Sequence, residues 1–245
     1  KAEGFDRPQI FIAEDISSFE QVTCADSNCK ISESAGDAVT DSENDMLATV
    51  RRQMSMTDPL YIIYTSGSTG NPKGVMTSHL SLMTYINAYC DVMHIEESDV
   101  LGNQSPLDYI AAIRDIYLPL KTGCSTAIIP KEYFMEPNAL FDYMNDKKVS
   151  SVGWSVSAFT ILTSLGAFEE VGLKSLRKIC FSGSVMPCRV LRKWQENLPE
   201  AHFVNQYGPT EATASCTYYS VDHTVEDDEV LPIGRAYDNY RVFLI

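Results

Sequence analysis

An α/β fold, built as layered sheets with flanking helices, is the class this sequence predicts. Three observations carry that reading. From residue 59 onward, short β-branched and aromatic runs alternate with segments of helical period. A loop rich in glycine and hydroxyl side chains directly follows one of those runs. Of the 245 residues, 44% are hydrophobic and 21% are charged, enough apolar material for a sizeable core.

The elements follow in chain order. Residues 9–13 read as a short buried strand. Residues 23–46 are rich in Ser, Asp, Ala and Thr and poor in large apolar side chains. The chain therefore divides into 1–22, the end of an upstream α/β segment; 23–58, an acidic linker or long loop; and 59–245, the regular core. Leu60–Thr65 is a strand. Leu82, Met83, Ile86, Tyr89, Cys90 and Met93 fall at helical spacing and predict a helix over 78–93. Further helices are expected at 109–121, 136–147, 156–166 and 187–197, the last with Pro187 in its first turn. Strands are expected at 125–129, 151–154, 178–182, 202–205, 218–221 and 241–245.

Acidic residues outnumber basic ones 33 to 19, for a net charge of −14. A nucleic-acid binder needs the opposite balance, as does a protein of anionic membrane surfaces, so neither partner is expected. No apolar run approaches the ~20 residues of a membrane span. The seven cysteines lie at irregular spacings, with no second pair to complete a zinc site beside Cys24 and Cys29. They read as free thiols in a reducing, cytoplasmic setting. His94, His202 and His223 show no metal-ligand spacing, and the acids at 222 and 226–229 read as a solvated loop.

The chemistry concentrates in Thr65-Ser66-Gly67-Ser68-Thr69-Gly70-Asn71-Pro72-Lys73-Gly74. Glycines let the backbone approach a ligand closely, successive N–H groups and hydroxyls cradle phosphate oxygens, and Lys73 adds positive charge. The spacing is not that of a Walker loop, because Lys73 follows Pro72 and precedes Gly74. This loop resembles the phosphate-binding motif of the adenylate-forming (AMP-binding) enzymes. Asn205-Gln206-Tyr207-Gly208-Pro209-Thr210-Glu211 resembles a second signature of that superfamily, and Leu231–Arg235 a third. Phe181-Ser182-Gly183 with Val185-Met186-Pro187 is similar to the strand lining its adenine site. The similarity runs from about residue 59 to the end. It is strongest to amino-acid adenylation domains of nonribosomal peptide synthetases and to D-alanine–carrier-protein ligases.

The resemblance implies roles residue by residue. Thr65, Ser66, Gly67, Ser68, Thr69, Gly70 and Lys73 would hold the β- and γ-phosphates of ATP. Gly183, Ser184, Asn205, Tyr207 and Gly208 would border the adenine, with Tyr207 against its face. Thr210 would bond the α-phosphate, and Glu211 would hold Mg²⁺. Thr210, Glu211 and Lys73 are the expected catalytic set. The implied reaction turns a carboxylic acid into an acyl-adenylate with release of pyrophosphate. The acyl group then passes to the phosphopantetheine thiol of a carrier protein. Alternative readings are an acyl- or aryl-CoA ligase and a non-catalytic nucleotide-binding remnant.

Ile110, Ala111, Arg114, Trp154, Cys180, Ser182, Gln206, Ala214 and Ser215 would surround the acyl group. Ile110 stands where amino-acid adenylation domains carry the Asp that pairs with the substrate ammonium, and Asp108 lies two residues earlier. An ammonium buried beside an isoleucine would be costly, which points to an amine-free acid. Arg114 would favour a second acidic group on the substrate. The superfamily's later acidic motif and the Lys of its small C-terminal domain are not in the sequence. The chain is therefore read as a core fragment of the large N-terminal domain, expected to adenylate poorly alone.

Overall fold

A computed structural model describes residues 10–12, 41–65, 71–107 and 109–243. The main sheet has the strands β1 (Ile10–Ile12), β4 (Val100–Asn103), β5 (Ser125–Ile128), β6 (Ser151–Ser155), β7 (Lys178–Ser182), β8 (His202–Tyr207), β9 (Thr217–Val221) and β10 (Arg235–Ala236). Their order across the sheet is β1-β5-β4-β6-β7-β8-β9-β10. Pairing is parallel from β1 through β8. It turns antiparallel at β8–β9 and β9–β10. A separate antiparallel hairpin joins β2 (Pro59–Thr65) to β3 (Lys73–Ser78).

Helices α3 (Ile110–Thr122), α4 (Pro137–Asp146), α5 (Val156–Ser164) and α6 (Cys188–Asn197) fill the crossovers between parallel strands, and α2 (His79–Met93) leads from the hairpin into β4. Local chemistry sets their ends. Ser78 caps α2 by accepting the Ser81 N–H at 3.2 Å, and Ser155 caps α5 through the Ala158 N–H at 3.4 Å. Pro119 inside α3 cannot donate to the carbonyl of Asp115. The Thr126 hydroxyl takes its place, donating to that carbonyl at 2.6 Å.

The period of two along each strand sorts the core into two layers. Val152, Trp154, Ile179, Phe181 and Phe203 face α4, α5 and α6. Leu101, Cys180 and Val204 face α2 and α3, among Leu82, Tyr85, Ile86, Tyr89 and Leu118. At the amino ends of the strands, buried Asp99 accepts from Lys178 at 2.6 Å, Arg177 at 2.8 Å and the Ser150 hydroxyl at 2.6 Å. This network ties β4, β6 and β7 together at the end away from the carboxyl-terminal loops.

Three expectations are corrected. Within the expected linker, Asp41–Gln53 forms a helix, α1. Met46 and Val50 on it are exposed. Of the last expected strand, Arg241–Phe243 adopt no regular structure, and residues 244–245 lie outside the described residues. β3, β4 and β10 were not anticipated. β3 opens on Lys73-Gly74, which reads as loop, and β4 and β10 have only 4 and 2 residues.

Candidate active site

The sequence signatures converge at the carboxyl ends of β7 and β8, where ligands bind in open α/β sheets. Gly183, Ser184, Asn205, Gln206, Tyr207 and Gly208 line a cavity of about 300 Å³ there. Val185, Met186, Leu231 and Ile233 supply its apolar walls. In the sequence their signal is that of apolar side chains within the signature stretches 181–187 and 231–235. Gly183 adopts φ of 94° with open space where a Cβ would be, so the chain turns without closing the cavity. Asn205 is engaged, donating to the Pro232 carbonyl at 2.9 Å. Tyr207 is half exposed at the strand end, its ring free to meet a planar ligand.

Beyond Tyr207 the chain reverses into β9 within a tight loop. Thr210–Ala212 form one 3₁₀ turn, and Thr213 and Ala214 both take positive φ, 55° and 73°. Such left-handed conformations at non-glycine residues store strain of about 1–3 kcal/mol each. Thr210 is half-buried, and Glu211 is exposed. The hairpin packs against this same turn through β3. Lys73 is the first residue of β3 and pairs with Thr65, whose hydroxyl donates to the Lys73 carbonyl at 3.5 Å. The described end of the hairpin, Lys73 at the start of β3, is thus on the strand that packs beside the Thr210–Ala212 turn. Ser66, Gly67, Ser68, Thr69 and Gly70 lie outside the described residues, as does Asp108.

The residues expected around the acyl group divide. Gly153, Cys180, Val204 and Gln206 project from one sheet face, toward α2 and α3, as the β6–β7 and β7–β8 registers and the strand pleat require. Trp154 belongs to the other face. It is buried against Phe134 and Phe159, and its indole N–H donates to the Gly102 carbonyl at 2.8 Å. A one-residue shift exchanges the faces of a strand, so Gly153 takes the position assigned to Trp154. Ile110 and Ser215 are buried, Ala111 and Ala214 half-buried, and Ser182 half-buried at the end of β7.

Arg114 is no solvated cation. Its guanidinium donates to both oxygens of Asp115, at 2.8 and 3.1 Å, and to the Gly153 carbonyl at 2.7 Å. It also stacks over the Tyr89 ring at 5.1 Å. Burial works against both charges and raises the Asp115 carboxyl, but Asp115 together with the Tyr89 and Tyr85 phenols outweighs burial at the guanidinium and keeps it firmly protonated. Its charge is thus already matched within the chain, which removes the ground for expecting a second acidic group on the substrate. Burial pushes the neighbouring Cys180 thiol up to about 12, so it is no nucleophile.

A larger cavity of about 490 Å³ lies between α2 and the antiparallel edge, lined by Asp91, His94, His202, Arg235 and Asp238 among others. It holds none of the residues expected at the nucleotide or acyl site, and size alone does not make it the reaction site. Among the described residues no three His, Cys, Asp or Glu side chains cluster as a metal site. Cys90, Cys124, Cys180, Cys188 and Cys216 are free thiols. No helix among the described residues is long and apolar enough to cross a membrane.

The sequence matches the AMP-binding enzyme family over residues 7–245. The chain belongs to that family. It is 34% identical over 187 residues to a D-alanine--D-alanyl carrier protein ligase of Bacillus cytotoxicus, covering 76% of this chain and 37% of that protein. The Bacillus anthracis ligase of the same name matches to the same extent. The AMP-binding chain thus spans 37% of the length of these curated relatives. Among solved structures, it resembles the Vibrio cholerae adenylation domain AlmE in complex with glycyl-adenosine-5'-phosphate. That likeness has a TM-score of 0.68 at 26% identity, over 79% of this chain and 36% of that one. CmiS6 matches with a TM-score of 0.66 at 29% identity, over 76% of this chain and 44% of that one.

Proposed function

We propose that this chain forms the nucleotide and acid site of an adenylate-forming ligase. A substrate carboxylate oxygen attacks the α-phosphorus of ATP, the bond to the β-phosphate breaks, and acyl-adenylate and pyrophosphate result. The carrying observation is convergence: the cavity of Gly183, Asn205, Tyr207 and Gly208 opens beside the Thr210–Glu211 turn, against which the Lys73 strand packs. A carboxylate of pKa near 4 is ionised at neutral pH, so no general base is required. Catalysis is positioning and charge neutralisation. Tyr207 faces the adenine, Thr210 bonds the α-phosphate, and Lys73 with the hairpin loop holds the outer phosphates. Glu211 is exposed and makes no ion pair among the described residues. One free carboxylate suits Mg²⁺, which takes its other ligands from phosphate and water. When bound, Mg²⁺ neutralises phosphate charge.

The relatives' names support a second half-reaction in which a carrier-protein phosphopantetheine thiol takes the acyl group and AMP leaves. Buried Ile110 supports an amine-free acid. The same residue keeps a CoA ligase as the second reading, and comparing free CoA with a carrier protein as acceptor separates the two.

The test is acid-dependent ATP–pyrophosphate exchange by the complete product of the gene, with α-amino acids, amine-free monoacids and diacids. Exchange is expected with amine-free monoacids. Glu211→Gln and Lys73→Ala should each lower it by about 10²–10³-fold. Exchange with no acid, or at an undiminished rate in Glu211→Gln, overturns the reading.

A further inference from the structure

The turn that carries Thr210 and Glu211 is short, strained and held from outside itself. In it the Ala212 N–H bonds the Pro209 carbonyl at 3.0 Å and the Thr213 N–H bonds the Thr210 carbonyl at 3.2 Å. Such 3₁₀ turns have poorer hydrogen-bond geometry than an α-helix, and their last carbonyls find no donor within the turn. Thr213 and Ala214 follow with φ of 55° and 73°. Non-glycine residues keep that conformation only where their surroundings over-determine it.

One such constraint comes from a side chain 28 residues away. The Tyr240 hydroxyl donates to the Ala212 carbonyl at 3.0 Å. That carbonyl belongs to the peptide plane between Ala212 and Thr213, where the chain passes from right-handed to left-handed. Rotating the plane by half a turn would return φ of Thr213 to negative values and carry the carbonyl away from Tyr240. The bond therefore opposes the motion that would relieve the strain. Burial pushes the Tyr240 phenol up to about 12, with the Thr213 hydroxyl beside it drawing the value down, so it stays a donor at neutral pH.

Tyr240 reaches the turn from a fixed platform. Its N–H bonds the Tyr237 carbonyl at 2.8 Å, and the Tyr237 N–H bonds the Cys216 carbonyl at 3.0 Å. The Asn239 carboxamide donates to the Thr84 carbonyl of α2 at 3.2 Å. The Tyr237 ring stacks on Tyr218 at 5.2 Å and lies 6.1 Å from the Tyr240 ring. Residues 237–240 thus join α2, the start of β9 and the turn, and they lie outside all of the sequence signatures.

We infer that Tyr240 is a positioning residue for adenylation: its bond to Ala212 locks the peptide plane behind the turn and so fixes where Thr210 and Glu211 stand. The inference rests on the adenylation reading and adds to it a residue that touches neither nucleotide nor acid. Groups that act by position lose rate steeply when displaced by a fraction of a bond length or more.

The experiment compares the complete gene product with its Tyr240→Phe variant, which keeps the ring and removes only the hydroxyl. In ATP–pyrophosphate exchange with the acid the parent accepts best, kcat should fall by about 10-fold while the KM for ATP stays within about 2-fold. In a Glu211→Gln background the same substitution should cost no more than about 3-fold, because the carboxylate it positions is gone. Amide hydrogen exchange of the nucleotide-free protein, followed by mass spectrometry, should quicken by at least ~5-fold in peptides covering 208–216 and stay unchanged in those covering α5 and β7. An unmoved kcat, an equal cost in both backgrounds, or unaltered amide exchange at 208–216 overturns the inference alone. So does a melting temperature that falls while kcat holds, the mark of a bond that only stabilises. Undiminished pyrophosphate exchange in Glu211→Gln, or none with any acid, overturns the adenylation reading and this inference with it.

Discussion

Gly208 has no room for a side chain. A Cβ there would sit 2.4 Å from the Ser215 Cα, because the loop after β8 folds directly back on it. Gly208→Ala should therefore displace the Thr210–Glu211 turn and destabilise the protein by about 1–3 kcal/mol, with weaker nucleotide binding. Chemical melts and ATP titration check both effects. Arg114 is decided at the same scale. Arg114→Met leaves Asp115 buried without its partner, an expected loss of about 3–5 kcal/mol. The double variant Arg114→Met/Asp115→Leu should recover most of it, measured by denaturant unfolding. A sequence-based reading names Arg114 as chemistry-bearing, but nothing in the residue order says that its adjacent acid consumes the charge. α3 turns both side chains inward, and the absent side chain of Gly153 leaves the guanidinium its place.

Elements with strong local signals matched their expectations closely. α2, α5 and β7 lie where apolar period and β-branched runs put them. β4 was missed, since four residues with a central glycine carry no pattern, and it forms because β5 and β6 pair with it on both sides. α1 was missed for another reason: it lies within a Ser-, Asp-, Ala- and Thr-rich stretch that reads as linker, and its apolar Met46 and Val50 are exposed. The strand ends are held by Asp99. Burial alone would raise its pKa, yet the Lys178 ammonium, the Ser150 hydroxyl and the Glu96 N–H hold it below the usual carboxylate range. Its stabilising effect is present above about pH 4 and is lost as pH falls through the lowered folded value. Asp99→Asn strands the Lys178 ammonium and should cost about 3–5 kcal/mol at pH 7, with a flatter acid limb in stability against pH.

At the scale of the molecule, His202 couples stability to mild acid. Burial depresses its pKa below the usual histidine value, with His94 and Lys178 adding to the effect, while the Val92 carbonyl, which accepts its Nε2–H, opposes it. The unfolded chain takes up a proton below about pH 6.5, where the folded chain resists it. Stability is therefore full above that value and is lost as pH falls. The melting temperature should drop between pH 7.5 and 5.5, and His202→Gln should flatten that drop. The layering has a chemical counterpart. The face toward α4–α6 is a closed aromatic core around Trp154 and Trp194, whereas the face toward α2 and α3 holds the buried Arg114–Asp115 pair and the unpaired Gln206 carboxamide.

By itself the residue order determined the α/β class, the positions of α2 to α6 and the signatures that lie at the carboxyl ends of β7 and β8. These are local properties: the period of apolar side chains and short runs whose chemistry depends on neighbours in sequence. Tertiary structure alone decided that Trp154 is core and Gly153 faces Arg114, that Asp115 consumes the Arg114 charge, and that the Gln206 carboxamide nitrogen and the Tyr237 hydroxyl find no hydrogen-bond partner among the described residues. Each of these depends on which face of a strand meets which helix. Pairing register and the packing of distant segments set that face, and neither is written in any single window of the sequence.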